Sequence, residues 1–174
     1  RGVNAYTESK TRAERQAWAI AERLGRTSDL AVVNPTAVLG PLLDEDPGTS
    51  AALVQRLLDG SIPAAPQMWL SLIDARDVAA LHLRAMTVPE AGGRRFPAAG
   101  PTYSVMQLAA MLRSAFPDYA GKLPRFEAPN WLVRLYALFD SDIRGILSEL
   151  GTIKRPEALD AKALLARPFI TTEA

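Results

Sequence analysis

The chain of 174 residues contains no cysteine and only one histidine, His82. Disulfide frameworks and thiolate metal sites are therefore excluded, and a metal centre would have to be built almost entirely from carboxylates, so no metal is expected. Net charge is equally scarce, since twenty Lys and Arg stand against nineteen Asp and Glu, for a balance of +1. Sixteen of those cations are arginines, scattered among acids with no aromatic-interleaved basic stripe, which argues against a nucleic-acid partner. No apolar run approaches the about eighteen residues of a membrane span, and no signal-peptide pattern opens the chain. The expectation is a protein without membrane contact and with a cytoplasmic location. The chain also lacks an initiator methionine: it opens on Arg1, with its first helix only a few residues later, and so reads as part of something longer.

Hydrophobic residues at 48% and charged residues at 22% are the composition of a soluble globular protein with a real core. The most chemically suggestive stretch is the beginning, Tyr6-Thr7-Glu8-Ser9-Lys10. A tyrosine and a lysine four residues apart on a helix emerge on one face, with Cβ atoms about 5–6 Å apart, and such a pair can move protons. By chance this spacing turns up in about one such chain in ten, so its surroundings must decide. With Asn4 as a candidate N-cap and Gly25 as a stop, residues 6–24 read as a helix. At 100° per residue, Tyr6, Lys10, Ala13, Ala17, Ile20, Ala21 and Leu24 share a face, with Arg12, Arg15, Ala19 and Arg23 opposite. This places the Tyr/Lys pair on the core-facing stripe, where an unpartnered ammonium is costly.

Residues 29–34 form a short apolar, β-branched run without alternation, the pattern of a strand covered on both faces in a parallel sheet. A helix followed by such a strand implies a crossover unit whose first strand precedes Arg1. The segment 35–41 then reads as a loop at the carboxyl end of that strand, where open α/β sheets bind ligands. Thr49 or Ser50 caps a helix that runs to Gly60, residues 61–67 are extended, and residues 68–73 suit a strand. Asp74 or Asp77 caps a helix to about Met86, with His82 on its apolar face as a packed, hydrogen-bonded histidine. The Gly92-Gly93 turn leads to a last short strand around 94–100, at an edge or strand end because of Pro97. From Pro101 onward the pattern is mainly helical, with segments opened by Ser104, Asn130 and Asp142 and a short helix around 158–165. The aromatic residues there read first as core and second as the wall of an apolar pocket.

Taken in order, these motifs resemble the C-terminal half of the extended short-chain dehydrogenases/reductases, the NAD-dependent epimerase/dehydratase superfamily. Within it the chain is most similar to the dihydroflavonol-4-reductase-like branch. Tyr6, Ser9, Lys10, Ala13 and Glu14 match its Y-x-x-S-K-x-x-A-E helix, and Asn34, Pro35, Val38, Gly40 and Pro41 its N-P-x-x-V-x-G-P loop. The Arg76-Asp77-Val78-Ala79 helix start and the Gly-rich turn before Phe96 fit as well. The resemblance is strong to about Gly100 and loose beyond it.

The implied fold is α/β: the C-terminal half of a Rossmann-type doubly wound parallel sheet plus a small, mostly helical substrate-binding lobe. Residues 1–41 and 72–100 would belong to the cofactor domain, and residues 42–71 and 101–174 to the lobe. The implied activity is NAD(P)-dependent carbonyl reduction or alcohol oxidation on a fairly apolar ketone or aldehyde, with NADP (or NAD) as cofactor. Tyr6 would be the general acid/base. A free phenol ionises near pH 10, and a cation one turn away favours the phenolate, which is the part implied for Lys10. Lys10 would also hydrogen-bond the nicotinamide ribose, Pro35 would pack on the nicotinamide, and Thr36, Ala37 and Val38 would meet its carboxamide. The resemblance also allows a homodimer through the helix of residues 6–24.

The chain departs from the family in what it does not contain: the G-x-x-G-x-x-G loop, the first strands, and the serine or threonine that precedes the tyrosine motif. The expectation is that this piece alone binds cofactor poorly and is inactive. The same scaffold serves nucleotide-sugar epimerases and dehydratases and 3β-hydroxysteroid dehydrogenases, and a non-catalytic NAD(P)-sensing member is a further alternative.

Overall fold

Local signals account for most of the elements in the computed structural model, which describes residues 5–42, 48–139 and 141–171, the side chains of Ser141 and Asp142 excepted. In chain order these are α1 (Ala5–Arg23), β1 (Val32–Pro35), β2 (Ala37–Leu39), α2 (Gly48–Asp59), β3 (Ala65–Pro66), β4 (Trp69–Asp74) and α3 (Ala75–Thr87). Then follow β5 (Arg95–Ala98), β6 (Thr102–Ser104), α4 (Val105–Ala115), β7 (Glu127–Ala128), α5 (Asn130–Tyr136), α6 (Ser141–Ile146) and α7 (Leu159–Leu165). Short 3-10 turns occupy Thr27–Asp29, Pro89–Ala91 and Pro117–Tyr119. Asn4 and most of the loop before α2 lie outside the described residues. No helix among the described residues is long and apolar enough to cross a membrane, and no cluster of three or more acidic, His or Cys side chains could hold a metal ion.

The chain folds into two compact units, the first formed by Arg1–Thr36, Ile73–Gly100 and Pro156–Ala174 and the second by Ala37–Leu72 and Pro101–Arg155. The expected division differs at three places: residues 37–41 and Leu72 group with the second unit and residues 156–174 with the first. The reason for the last difference is packing, because α7 lies against α3 and β5 and buries Ala161, Leu164 and Leu165 there.

In the first unit β1 and β5 pair in parallel, with Val33 opposite Phe96 and Pro35 opposite Ala98. A parallel pair needs a crossover, and α3, packed on β1, lies on it. Its start is capped by Asp74, which accepts from the Arg76 N–H at 2.7 Å. Asp77 is instead wholly buried: Arg167 Nη1 is 2.6 Å from one of its oxygens, and the Ile170 N–H donates to the other at 2.7 Å. The buried face of α3 is therefore Asp77 and Leu81, one turn apart. His82, about 100° further round, is exposed rather than packed, its Nδ1 2.8 Å from the Val78 carbonyl oxygen of its own helix. The turn before β5 requires glycine at position 92, where a Cβ would stand 2.0 Å from the Ser28 carbonyl oxygen.

The second unit is organised on an apolar cluster of Leu57, Ile62, Ala65, Met68, Val105, Ala109 and Leu123. Its sheet runs β2-β4-β6, with β4 and β6 antiparallel, and β3 pairs separately with β7. Residues 37–39, expected as loop, are thus a strand, since the apolar triplet Ala37-Val38-Leu39 lies beside β4, where its backbone gains ladder hydrogen bonds. Thr49 and Ser50 fall inside the first turn of α2 rather than capping it, because the helix already begins at Gly48. Ser104 caps α4 as expected, in a reciprocal capping box with Gln107. The aromatic residues of this unit are mostly outside the core: Trp131, Tyr136 and Phe139 are exposed, because the short α5 leaves one side uncovered.

Candidate functional site

The side chains singled out in the sequence begin on α1. Tyr6 and Lys10 emerge on one face in the first turns of the helix, with Lys10 Nζ 5.5 Å from the centre of the Tyr6 ring. That is cation–π distance, and it keeps the ammonium within one side chain's reach of the phenol. Both residues are exposed, Tyr6 at 71%, and no residue of α1 is fully buried. The expectation that the pair lies on the core-facing stripe is therefore corrected. The half-buried positions are Glu14, Ala17, Trp18 and Ala21, a seam that shares Ala17 and Ala21 with the expected stripe and lies about 60° round the helix from its centre, so that Tyr6, Ala13, Ile20 and Leu24 fall outside it.

Glu14 sits one turn beyond Lys10 on α1 and collects donors from three directions. The Arg95 guanidinium at the start of β5 binds it through both Nε and Nη2, Asn34 Nδ2 at the end of β1 donates at 3.1 Å, and the Trp18 indole N–H donates at 3.2 Å. The Arg95 guanidinium holds the Glu14 carboxyl below the usual carboxylate range; partial burial opposes this, and the Trp18 and Asn34 donors assist it. The carboxylate is thereby matched with donors on β1, on β5 and on its own helix. Glu14 was visible in the sequence only as a motif match, and nothing in the sequence paired it with Arg95.

Pro35 closes β1 and is exposed, while the Thr36 N–H donates to the Ala98 carbonyl at 3.0 Å and its hydroxyl lies 3.4 Å from the same oxygen. Tyr6, Lys10, Pro35 and Thr36 thus belong to the first unit, and Ala37 and Val38 open β2 of the second. The second unit also holds a cavity of about 760 Å³ that sequence reasoning did not locate, lined by residues such as Leu53, Met68, Leu70, Leu108, Val133 and Tyr136. Among the described residues Arg56 is the only charged one in its lining, and its size is that of a small-molecule site. The lining comes from six separate stretches of chain, so no single motif could have announced it.

No family model matches the chain. Among curated proteins it is 33% identical over 114 residues to tetraketide alpha-pyrone reductase 2 of Arabidopsis thaliana, covering 66% of this chain and 35% of that one. It is 35% identical over 131 residues to the NADPH-dependent methylglyoxal reductase of Saccharomyces cerevisiae, covering 70% of this chain and 38% of that one. The chain thus spans less than half the length of these relatives. Among solved structures, yeast methylglyoxal/isovaleraldehyde reductase complexed with NADPH superposes with a TM-score of 0.66 at 24% identity, over 92% of this chain and 49% of that one. The fold is accordingly of the Rossmann type.

Proposed function

Since the chain belongs to the extended short-chain dehydrogenase/reductase superfamily, we propose that the protein carrying it is an NADP- or NAD-dependent oxidoreductase acting on an apolar ketone or aldehyde, or on the matching alcohol. The observation that carries this reading is the Tyr6/Lys10 pair, a phenol with an ammonium 5.5 Å from its ring centre, both open to a ligand. Bound nicotinamide would supply the hydride. Tyr6 then donates its hydroxyl proton to the carbonyl oxygen, and in the reverse direction its phenolate accepts the alcohol proton. Lys10 stabilises the negative charge left on the phenol oxygen, and the positive end of α1 adds to it, since Tyr6 lies in the first turn.

The residues present suit the nicotinamide end of such a cofactor. Lys10 offers an exposed ammonium able to donate to ribose hydroxyls, and Pro35 offers an exposed ring at the carboxyl end of a parallel strand. Thr36, Ala37 and Val38 would meet the carboxamide. Nothing in the sequence resembles a Gly-rich loop for the pyrophosphate, so the 174-residue chain by itself should bind NADPH weakly and be inactive. The cavity of the second unit supports the substrate class: an almost uncharged lining favours an apolar molecule over a nucleotide sugar, whose diphosphate calls for several cations.

The test is Tyr6→Phe in the full-length protein, assayed with NADPH against a panel of apolar ketones and aldehydes. Loss of the proton donor should lower kcat by about 10²- to 10⁴-fold, with cofactor affinity by calorimetry retained. Turnover at the parent rate would overturn the assignment.

A further inference from the structure

A helix that presents a proton-transfer pair must be held at a fixed angle to the strand ends it serves. The half-covered positions of α1 are Glu14, Ala17, Trp18 and Ala21. Among them Glu14 makes directional contacts to two other elements: it accepts from Asn34 at the end of β1 and from Arg95 at the start of β5. These two strands are themselves locked in register, Asn34 opposite Pro97 and Val32 opposite Arg95. Glu14 is four residues from Lys10 and eight from Tyr6, about 40° and 80° round the same rigid helix, so a tilt at Glu14 is transmitted to both.

We propose that Glu14 is the positioning residue of the Tyr6/Lys10 pair, its carboxylate fixing the first turns of α1 relative to the Asn34-Pro35 strand end. This rests on the reading of Tyr6 as the acid. Asn34 is a fitting partner because it precedes Pro35 directly, so one hydrogen bond couples the helix that carries the acid to the strand end assigned to the nicotinamide. Among the described residues Asn34 Oδ1 is buried with no hydrogen-bond partner, and its Nδ2 donates to Glu14. The Trp18 indole, donating to the same carboxylate from one turn further along, restricts its rotamer. Arg95 contributes two donors in a fork, which fixes orientation as well as distance. Glu14 itself touches neither the phenol nor the ammonium, so it acts through the helix.

The experiment is steady-state kinetics of the full-length protein with Glu14→Gln, Arg95→Met and Tyr6→Phe side by side, each with thermal melting and NADPH calorimetry. Misplacing a proton donor by about 1 Å costs about 10²-fold in rate. Glu14→Gln and Arg95→Met should therefore lower kcat about 10- to 100-fold, while KM for the carbonyl substrate and the NADPH Kd stay within about twofold. A merely structural role would lower the melting temperature and leave kcat per folded molecule unchanged, and that result in both variants would overturn the proposal. If Glu14→Gln fails to fold, Arg95→Met carries the test, because Arg95 is largely exposed and its removal leaves the strand intact. Should Tyr6→Phe turn over at the parent rate, the underlying reading falls and the positioning role with it. Should Tyr6→Phe be inactive while both other variants keep their kcat, only the positioning role falls.

Discussion

The first unit holds α1 by a carboxylate, whereas the second holds α2 and α4 by an apolar cluster. Glu14 joins α1 to β1 and β5 through hydrogen bonds, and Asp77 likewise anchors the C-terminal segment through Arg167 and the Ile170 N–H. In the second unit Leu57 of α2 and Val105 and Ala109 of α4 close on Ile62, Ala65, Met68 and Leu123 with no polar group in the cluster. Hydrophobic contact is strong but non-directional, and it permits the large cavity beside that cluster. Charge-assisted hydrogen bonds bury less surface but specify orientation, which apolar contact does not.

The largest expected effect tests the apolar side of this contrast. Leu57 is fully buried, and Leu57→Ala should destabilise the second unit by about 2–5 kcal/mol. Amide hydrogen exchange should show the loss in α2 and α4 while α3 and α7 keep their protection, and equal loss in both units would break the comparison. Next is Asp77→Ala, which strands Arg167 and the Ile170 N–H and should cost about 3 kcal/mol, read by denaturant unfolding and by proteolysis of residues 166–171.

A third prediction concerns acid. The Glu14 carboxyl is depressed below its usual value of 4.5, with the Arg95 hydrogen bonds as the leading cause. A group whose folded value is lowered stabilises fully above the unfolded value and loses that contribution as pH falls through the folded one. The tie of α1 should therefore be complete above pH 4.5 and weaken below it. Trp18 donates to this carboxylate, so the difference in fluorescence titration between the protein and Trp18→Phe should change in that acid window, and Glu14→Gln should abolish the change. The smallest effect belongs to a local cap: Ser104→Ala breaks the capping box of α4 and should cost about 1 kcal/mol in thermal unfolding.

Much of the fold was legible because its signals are local. The helix ending before Gly25, a strand within residues 29–35, the cap at Asp74 and the cap at Ser104 each need only a few consecutive residues. The candidate acid and its cation were legible for the same reason, being one helical turn apart. Which face of α1 packs was legible only in part: hydrophobic periodicity picked Ala17 and Ala21 correctly but added Tyr6, Ile20 and Leu24, while Arg95, the partner of the half-buried Glu14, lies 81 residues from it. The burial of Asp77 was hidden likewise, since its partner Arg167 lies in the last turns of the chain.

By itself the sequence determined the α/β character, most of the helices, the family, and the pairing of a tyrosine with a lysine on one helix face, all consequences of short-range spacing and backbone preference. Only the tertiary structure decided that Glu14 ties this helix to β1 and β5, that residues 37–39 join a sheet, that residues 156–171 pack with the first unit, and that several separate stretches enclose an apolar cavity in the second. These are products of long-range packing, whose partners lie tens of residues apart in the chain.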